Sequence, residues 1–290
     1  MKPWRFEAIG TGWEIETVVP LSAADRAAVD DLVASFDRTW SRFRSDGLVS
    51  SLAAEPRTVP LPPDAPAMLG LYRELSDATG GAVQPLVGDA LAHRGYDAGY
   101  SLRDRGPVPA PGAWQRILEG NEDGLTLREP ATIDVGALGK GRLVDLVHGL
   151  LAERGHERIV VDAGGDLRAN GEPIRVGLEH PYDPSRAIGV ATVRDAALCA
   201  SAVNRRAWGD GLHHVLDART GEPVRTVAAT WVLAPTAMLA DAAATALFFD
   251  GGAGFAAAHG VEWVRMTTDG AVDWSVRTEG DAPPAVEVFV

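Results

Sequence analysis

Sulfur chemistry is the first thing this sequence excludes. Cys199 is the only cysteine in 290 residues, so neither an intrachain disulfide nor a cysteine-based zinc cluster can form. Positive charge is also in deficit: 27 Lys and Arg stand against 40 Asp and Glu, a net charge of −13. An acidic body repels a nucleic-acid backbone, so no nucleic-acid partner is expected. A phosphorylated small molecule remains admissible, because backbone amides, one lysine and a divalent cation can hold phosphate locally. The start of the chain, Met1 to Glu7, has no apolar signal core and no early cysteine for lipid attachment, which reads as a cytoplasmic protein. No clean spanning segment is present either. The run from Trp231 to Phe249 is interrupted by Pro235 and carries Asp241 near its middle, a carboxylate costing roughly 3 kcal/mol in hydrocarbon. It reads as a buried strand, a turn and a buried helix.

With 46% hydrophobic and 23% charged residues, the chain has the composition of a globular protein with ample core. Alternation in Trp13 to Val18 predicts an early strand. Ser22 then caps a helix whose Val29, Leu32, Val33, Phe36, Trp40 and Phe43 share one face, so it is expected to run to about Phe43. A second helix is expected after Pro66, with Met68, Leu71, Tyr72 and Leu75 inward and a stop at Gly80-Gly81. Residues 95 to 131 read as loops and edge strands. A third helix spans about Leu138 to Arg154, followed by a strand at Arg158 to Val161, short strands at Arg175 to Leu178 and Gly189 to Val193, a strand at Trp231, a helix over Thr236 to Phe249, and terminal strands near Val261 and Val286. Without a regular βαβ beat or internal repeat, the fold class is α+β with mixed or antiparallel sheets and packed helices.

Four segments could carry chemistry. Asp241 and Thr245 are four apart on a helix, so carboxylate and hydroxyl share a face among alanines too small to cover them. Two such oxygens suit a hard cation such as Mg²⁺; the alternative is a hydroxyl bonded back to its own helix. The run Ile133 to Arg142 passes from a strand end through glycines into a helix with Lys140 in its first turn, a natural seat for phosphate. It is not a P-loop, since the Walker spacing and the Ser or Thr after Lys are missing. Asp162-Ala163-Gly164-Gly165-Asp166 allows close approach of a ligand to backbone or makes a tight hairpin turn, and is no dinucleotide fingerprint. In Gly211 to Gly221, adjacent His213 and His214 point to opposite faces of a strand, so one of them could act as a general base, and Asp217 to Gly221 form a turn.

Taken together, these segments resemble the ApbE family of FAD:protein FMN transferases. The resemblance extends to Ala8-Ile9-Gly10-Thr11, Trp40-Ser41-Arg42-Phe43-Arg44, Gly80-Gly81-Ala82 and Gly95-Tyr96-Asp97. It implies a single ApbE-like domain over residues 1–290, of T-fold-related architecture, that uses FAD as substrate with Mg²⁺. Such enzymes pass FMN to a Thr or Ser hydroxyl of an acceptor flavoprotein and release AMP. Carried over by position, the resemblance makes Asp241, Thr245 and the Ala137 carbonyl metal ligands and His214 the base. Gly10, Thr11, Lys140, Gly164, Gly165, Asp166, Asp217 and Thr220 bind FAD, with Asp134 supporting the site. Three positions depart from the family pattern: Ala53, Gln84 and Ala202. They leave open an FAD pyrophosphatase, or a non-catalytic FAD-binding protein, using the same pocket.

Overall fold

The computed structural model describes residues 3–275 and 285–289. Its centre is an eight-stranded sheet: β1 (Trp4–Ala8), β2 (Thr11–Thr17), β3 (Ile159–Asp162), β4 (Asp166–Ala169), β5 (Ala196–Ala202), β6 (Val227–Ala234), β7 (Glu262–Thr267) and β8 (Val272–Ser275). Spatial order follows chain order, and every neighbouring pair is antiparallel. The sheet is therefore a meander, with every helix and all the remaining strands but Val286–Val288 carried in its connections. The fold is α+β with antiparallel sheets, as the lack of a βαβ beat indicated.

The helices are α1 (Ala23–Trp40), α2 (Leu48–Ala54), α3 (Ala65–Ala78), α4 (Gly88–His93), α5 (Trp114–Ile117), α6 (Gly139–Glu153), α7 (Ala237–Ala246) and α8 (Gly252–Ala258). On one face of the sheet, Trp13, Ile15, Val161, Cys199, Val232 and Trp263 form a continuous core with helical side chains such as Val33, Leu75, Val147 and Phe255. Alternate residues Leu198, Trp231, Val264 and Met266 face the other way, onto a long hairpin (Ile174–His180 and Asp183–Val193) that is extended by the strand Val286–Val288. The period-2 exchange of neighbours between two cores is what a sheet covered on both faces requires.

Several expected boundaries shift for local reasons. Helix α1 keeps its Ser22 cap, whose hydroxyl accepts from Asp25 N while Asp25 reciprocates. It ends at Trp40 rather than Phe43, because Ser41 is extended (φ −81°, ψ 115°) and Arg42 is drawn into an ion pair across the molecule. Pro66 lies inside the first turn of α3, where its missing amide costs nothing. The helix begun at Thr236 stops at Ala246, and Leu247 to Phe249 continue as turns. The two short strands expected at Arg175 and Gly189 are the arms of the long hairpin. Helices α2, α4, α5 and α8 are too short to register as periodicity.

The apolar run that imitates a membrane span is β6, buried on both faces, followed by α7, whose alanines are almost all buried. Among the described residues no helix is long and apolar enough to cross a membrane. Alanine at these positions lets α6 approach α7 closely. The tightest point is Gly141, where a Cβ would lie 2.2 Å from the Ala237 carbonyl. One turn further along α6, the Asp145 carboxylate accepts from Ala237 N and Met238 N, both at 2.9 Å, and pairs with Arg168 of β4 at 2.6 Å. Asp145 therefore caps α7 from a neighbouring helix and fixes its position. Asp145→Ala orphans two amides and one guanidinium, and is expected to cost about 3 kcal/mol. Urea denaturation measures it, and a loss below about 1 kcal/mol would contradict the cap.

Candidate functional site

A cleft of about 1020 Å³ opens where the strand connections meet, at the upper end of the size range for ligand sites. Its floor is the crossing of α6 and α7. Asp241 on α7 is 4% exposed, and its Oδ2 accepts from Gly141 N at 2.9 Å, so the carboxylate sits at the positive end of α6. Burial, reinforced by the nearby Asp166 charge, pushes its pKa well above the usual carboxylate range. One turn on, the Thr245 hydroxyl lies 3.4 Å from the Ala137 carbonyl. The geometry thus brings Ala137, Asp241 and Thr245 to one corner, each through oxygen. Among the described residues no three His, Cys, Asp or Glu side chains converge as a metal cluster. A cation in this corner would be held by one carboxylate and neutral oxygens, a donor set that suits Mg²⁺ and leaves room for ligand phosphates.

The loop that supplies Ala137 is pinned from beneath. Asp134 accepts from Arg42 Nε at 2.5 Å and from Gly136 N at 2.7 Å, and the Asp134 carbonyl accepts from the Tyr72 hydroxyl at 3.2 Å. Arg42 is itself buried, donates to the Tyr96 carbonyl at 2.8 Å, and packs over the Phe43 and Tyr96 rings. A buried pair of this kind sets register more than it adds stability. Here it fixes the strand-to-helix junction.

Lys140 reaches across the cleft edge to Asp166, which is fully buried at the start of β4. Burial pulls the Lys140 ammonium down, but Asp166 and Asp241 more than reverse this, so its pKa lies above the ordinary lysine value. Gly164, at the tip of the β3–β4 hairpin, has φ +65°, and a Cβ there would fall 2.1 Å from Thr11 Oγ1. Only glycine lets this tip sit against the β1–β2 turn. The segment is therefore both a hairpin turn and a wall of the cleft.

On the opposite side, His213 is buried and bonded to the Val224 carbonyl at 2.8 Å, while His214 lines the cleft. The two histidines have different surroundings: the strand ends at His213, and His214 follows it at the cleft. The pKa of His214 is lowered to about 3 by burial and by the Arg206 and His213 charges, and its buried Nδ1 has no partner. The imidazole is neutral at physiological pH.

The sequence model of the ApbE family matches residues 9–265. The chain belongs to the ApbE family. A Rhodobacter capsulatus protein named FAD:protein FMN transferase is 29% identical over an alignment covering 92% of this chain and 55% of its own length. A Treponema pallidum protein of the same name is 28% identical, with 83% and 76% covered. The chain thus spans little more than half of the first relative. Among solved structures, the ApbE protein of Thermotoga maritima superposes with a TM-score of 0.82 at 21% identity, covering 94% of this chain and 96% of that one. The apo flavinyl transferase ApbE of Pseudomonas stutzeri gives 0.78 at 21%, covering 94% of each. These likenesses establish the ApbE fold.

Of the residues singled out from the sequence, Gly10, Thr11, Ala137, Lys140, Gly164, His214, Asp241 and Thr245 line the cleft. Gly165, Asp166, Asp217 and Thr220 do not. The Gly165 carbonyl is engaged by Ala200 N at 2.9 Å, and Asp166 lies behind Lys140. Asp217 is held by Arg219 at 2.6 Å, and Thr220 closes the same turn. That turn is an anchor: Ala218 N donates to the Ala82 carbonyl, and Ala110 N donates to the Ala218 carbonyl. Of the family departures, Gln84 and Ala202 line the cleft and Ala53 does not. Gln84 donates through Nε2 to the Pro111 carbonyl at 3.0 Å, leaving a buried Oε1 without a partner. The sequence reading assigned no site role to the wall made by Tyr96, Tyr100, Leu102, Arg206 and Trp208. The signals for it in the sequence are the Arg205-Arg206 doublet just upstream of the histidines, in so acidic a chain, and the Gly95-Tyr96-Asp97 block.

Asp166→Asn removes the main charge that holds Lys140 up, so the Lys140 pKa falls and its amine reacts at lower pH. Lys140 is the only lysine among the described residues, so the pH dependence of acetylation at that site, followed by peptide mass spectrometry, reads this directly. An unmoved midpoint would dissolve the pair.

Proposed function

We propose that this chain is a Mg²⁺-dependent FAD:protein FMN transferase acting as a single flavin-transfer domain. It moves the FMN half of FAD to a Thr or Ser hydroxyl of an acceptor flavoprotein and releases AMP. The observation that carries the reading is the corner where Asp241, Thr245 and the Ala137 carbonyl converge, in a cleft that also holds a neutral His214. The names of the Rhodobacter and Treponema relatives support it.

The residues divide the work by position. The α6 N-terminus and Lys140 present positive charge to the pyrophosphate. The Thr11 and Gly164 turns bring backbone close to the ligand, and the aromatic wall accepts a planar ring. His214 takes the proton of the attacking hydroxyl: its imidazole is neutral and its Nδ1 has no partner, so a lone pair is left unengaged at the cleft. A bound Mg²⁺ would supply charge neutralisation at the pyrophosphate. Asp241, Thr245 and Ala137 are the residues that would hold it.

The test is incubation with FAD and Mg²⁺, with and without a flavoprotein encoded nearby, followed by a denaturing gel. Fluorescent flavin on the acceptor band demonstrates transfer. Free FMN alone makes the protein an FAD pyrophosphatase, and intact co-purified FAD makes it a carrier. Asp241→Ala is expected to lower turnover by roughly 10³-fold or more with the melting temperature retained; undiminished activity would remove Asp241 from the site.

The sign of the pH dependence follows from the same residues. His214 is already unprotonated well below pH 5 and contributes no acid limb at neutral pH. Asp241, raised by burial, must lose its proton to bind a cation, so kcat/KM rises with pH. Proton and metal compete for it, so the limb moves to lower pH as Mg²⁺ concentration is raised. A limb indifferent to Mg²⁺ would assign it to another group.

A further inference from the structure

Among the described residues five cationic side chains line the cleft, and four of them are paired with carboxylates. Arg42 is paired with Asp134, Arg44 with Asp37 and Asp46, Lys140 with Asp166, and Arg205 with Glu179. Arg206 has no carboxylate within ion-pair distance among the described residues. Its Nη1 donates instead to the Tyr96 hydroxyl at 3.0 Å. Tyr96 is buried, and burial raises its pKa above the ordinary phenol value, so this acceptor is uncharged. The ring is held in turn by stacking on Trp208, with centroids 5.5 Å apart, and by the bond from Arg42 to its carbonyl. Arg206 is thus a positive charge fixed by a neutral partner, whereas each of the other cleft cations is paired with a carboxylate.

Its place is beside His214. The Arg206 carbonyl accepts from His214 N at 3.3 Å, so guanidinium and imidazole stand on facing segments of one hairpin (Ala207 pairs with His213). The Arg206 charge is felt at both His214 and Asp241. A planar fork with free donors, preorganised beside a hydroxyl-activating base, matches the oxygens of a phosphoryl group.

We propose that Arg206 is a catalytic residue that grips the phosphoryl group being transferred. This rests on the flavin-transfer reading. In that step the acceptor hydroxyl oxygen bonds to the FMN-side phosphorus and the phosphorus–oxygen bond to AMP breaks. The hydroxyl proton passes to His214, and the electron pair of the broken bond leaves with AMP. Arg206 offsets the negative charge on the phosphoryl oxygens throughout, and the bound anion in turn compensates the cation that disfavours a proton on His214. Preorganised donors of this kind act most strongly where charge develops.

The experiment compares wild type, Arg206→Gln and Arg206→Lys in two arms. In the first, AMP release is followed with FAD, Mg²⁺ and the nearby-encoded flavoprotein. Arg206→Gln is expected to lower kcat roughly 10²- to 10³-fold with a much smaller change in KM, and Arg206→Lys to recover part of the loss. In the second, affinities for FAD and for phosphate-free riboflavin are measured by fluorescence titration. Arg206→Gln should weaken FAD about 10-fold and leave riboflavin unchanged. Wild-type kcat in Arg206→Gln, or equal weakening of both ligands, overturns the assignment. If wild type itself moves no FMN and releases no AMP, the transfer reading fails. The second arm then decides alone: selective weakening of FAD upholds Arg206 as the phosphate contact, and any other pattern removes it.

Discussion

The close crossing of α6 over α7 at Gly141 is the constraint on which the rest of the structure depends. Because nothing larger than hydrogen fits there, the amide of Gly141 reaches the Asp241 carboxylate, and Asp145 four residues on reaches the first amides of α7. One helix thereby supplies both the electrostatic end that holds the buried carboxylate and the cap that orients it. The sheet contributes a second layer of the same device. Asp166 and Arg168 lie two apart on β4 and pair with Lys140 and Asp145 of α6. Opposite charges alternate across the contact, so sliding the helix along the strand would set like charges against each other.

An acidic protein that handles an anionic ligand must keep its positive charge in place and in short supply. Most cleft cations here serve as struts: Arg42 holds the loop before α6, and Arg205 ties the cleft loop to the tip of the long hairpin through Glu179. Each is neutral in sum. Positive potential in the cleft therefore comes from few sources, namely the α6 amides, a partly compensated lysine and one arginine held by a phenol. Non-residue contributions matter as much as charged groups in such a site.

How much of this was legible in the sequence differs by kind. Asp241 and Thr245 at helical spacing, the glycine-rich entry to α6 with Lys140, and the adjacent histidines were readable because each is a local pattern whose geometry follows from a period of 3.6 or 2. Asp217, Thr220, Gly165 and Asp166 looked equivalent to them in one dimension. Their roles were decided by pairing across the chain: Asp217 by the turn it closes, Asp166 by a lysine on another element. The joining of the aromatic residues and Arg206 into one wall was not legible for the same reason, since residues from 43 to 208 meet only in the folded chain. Left-handed backbone at Ile9, Tyr100 and Leu102, all at the cleft, is unusual for such side chains and leaves no trace in composition.

The sheet has a different kind of consequence. Neighbouring strands arrive in the order in which the chain lays them down, so the scaffold is a simple zigzag and nearly every residue that lines the cleft lies on a connection or at a strand end. The two parts answer to separate demands, one to ladder geometry and the other to what fills the cleft. That division suits a lineage whose members keep one shape at about one-fifth identity. A connection can grow, shrink or change its chemistry, and so alter what the cleft admits, while every rung of the ladder beneath it stays in place.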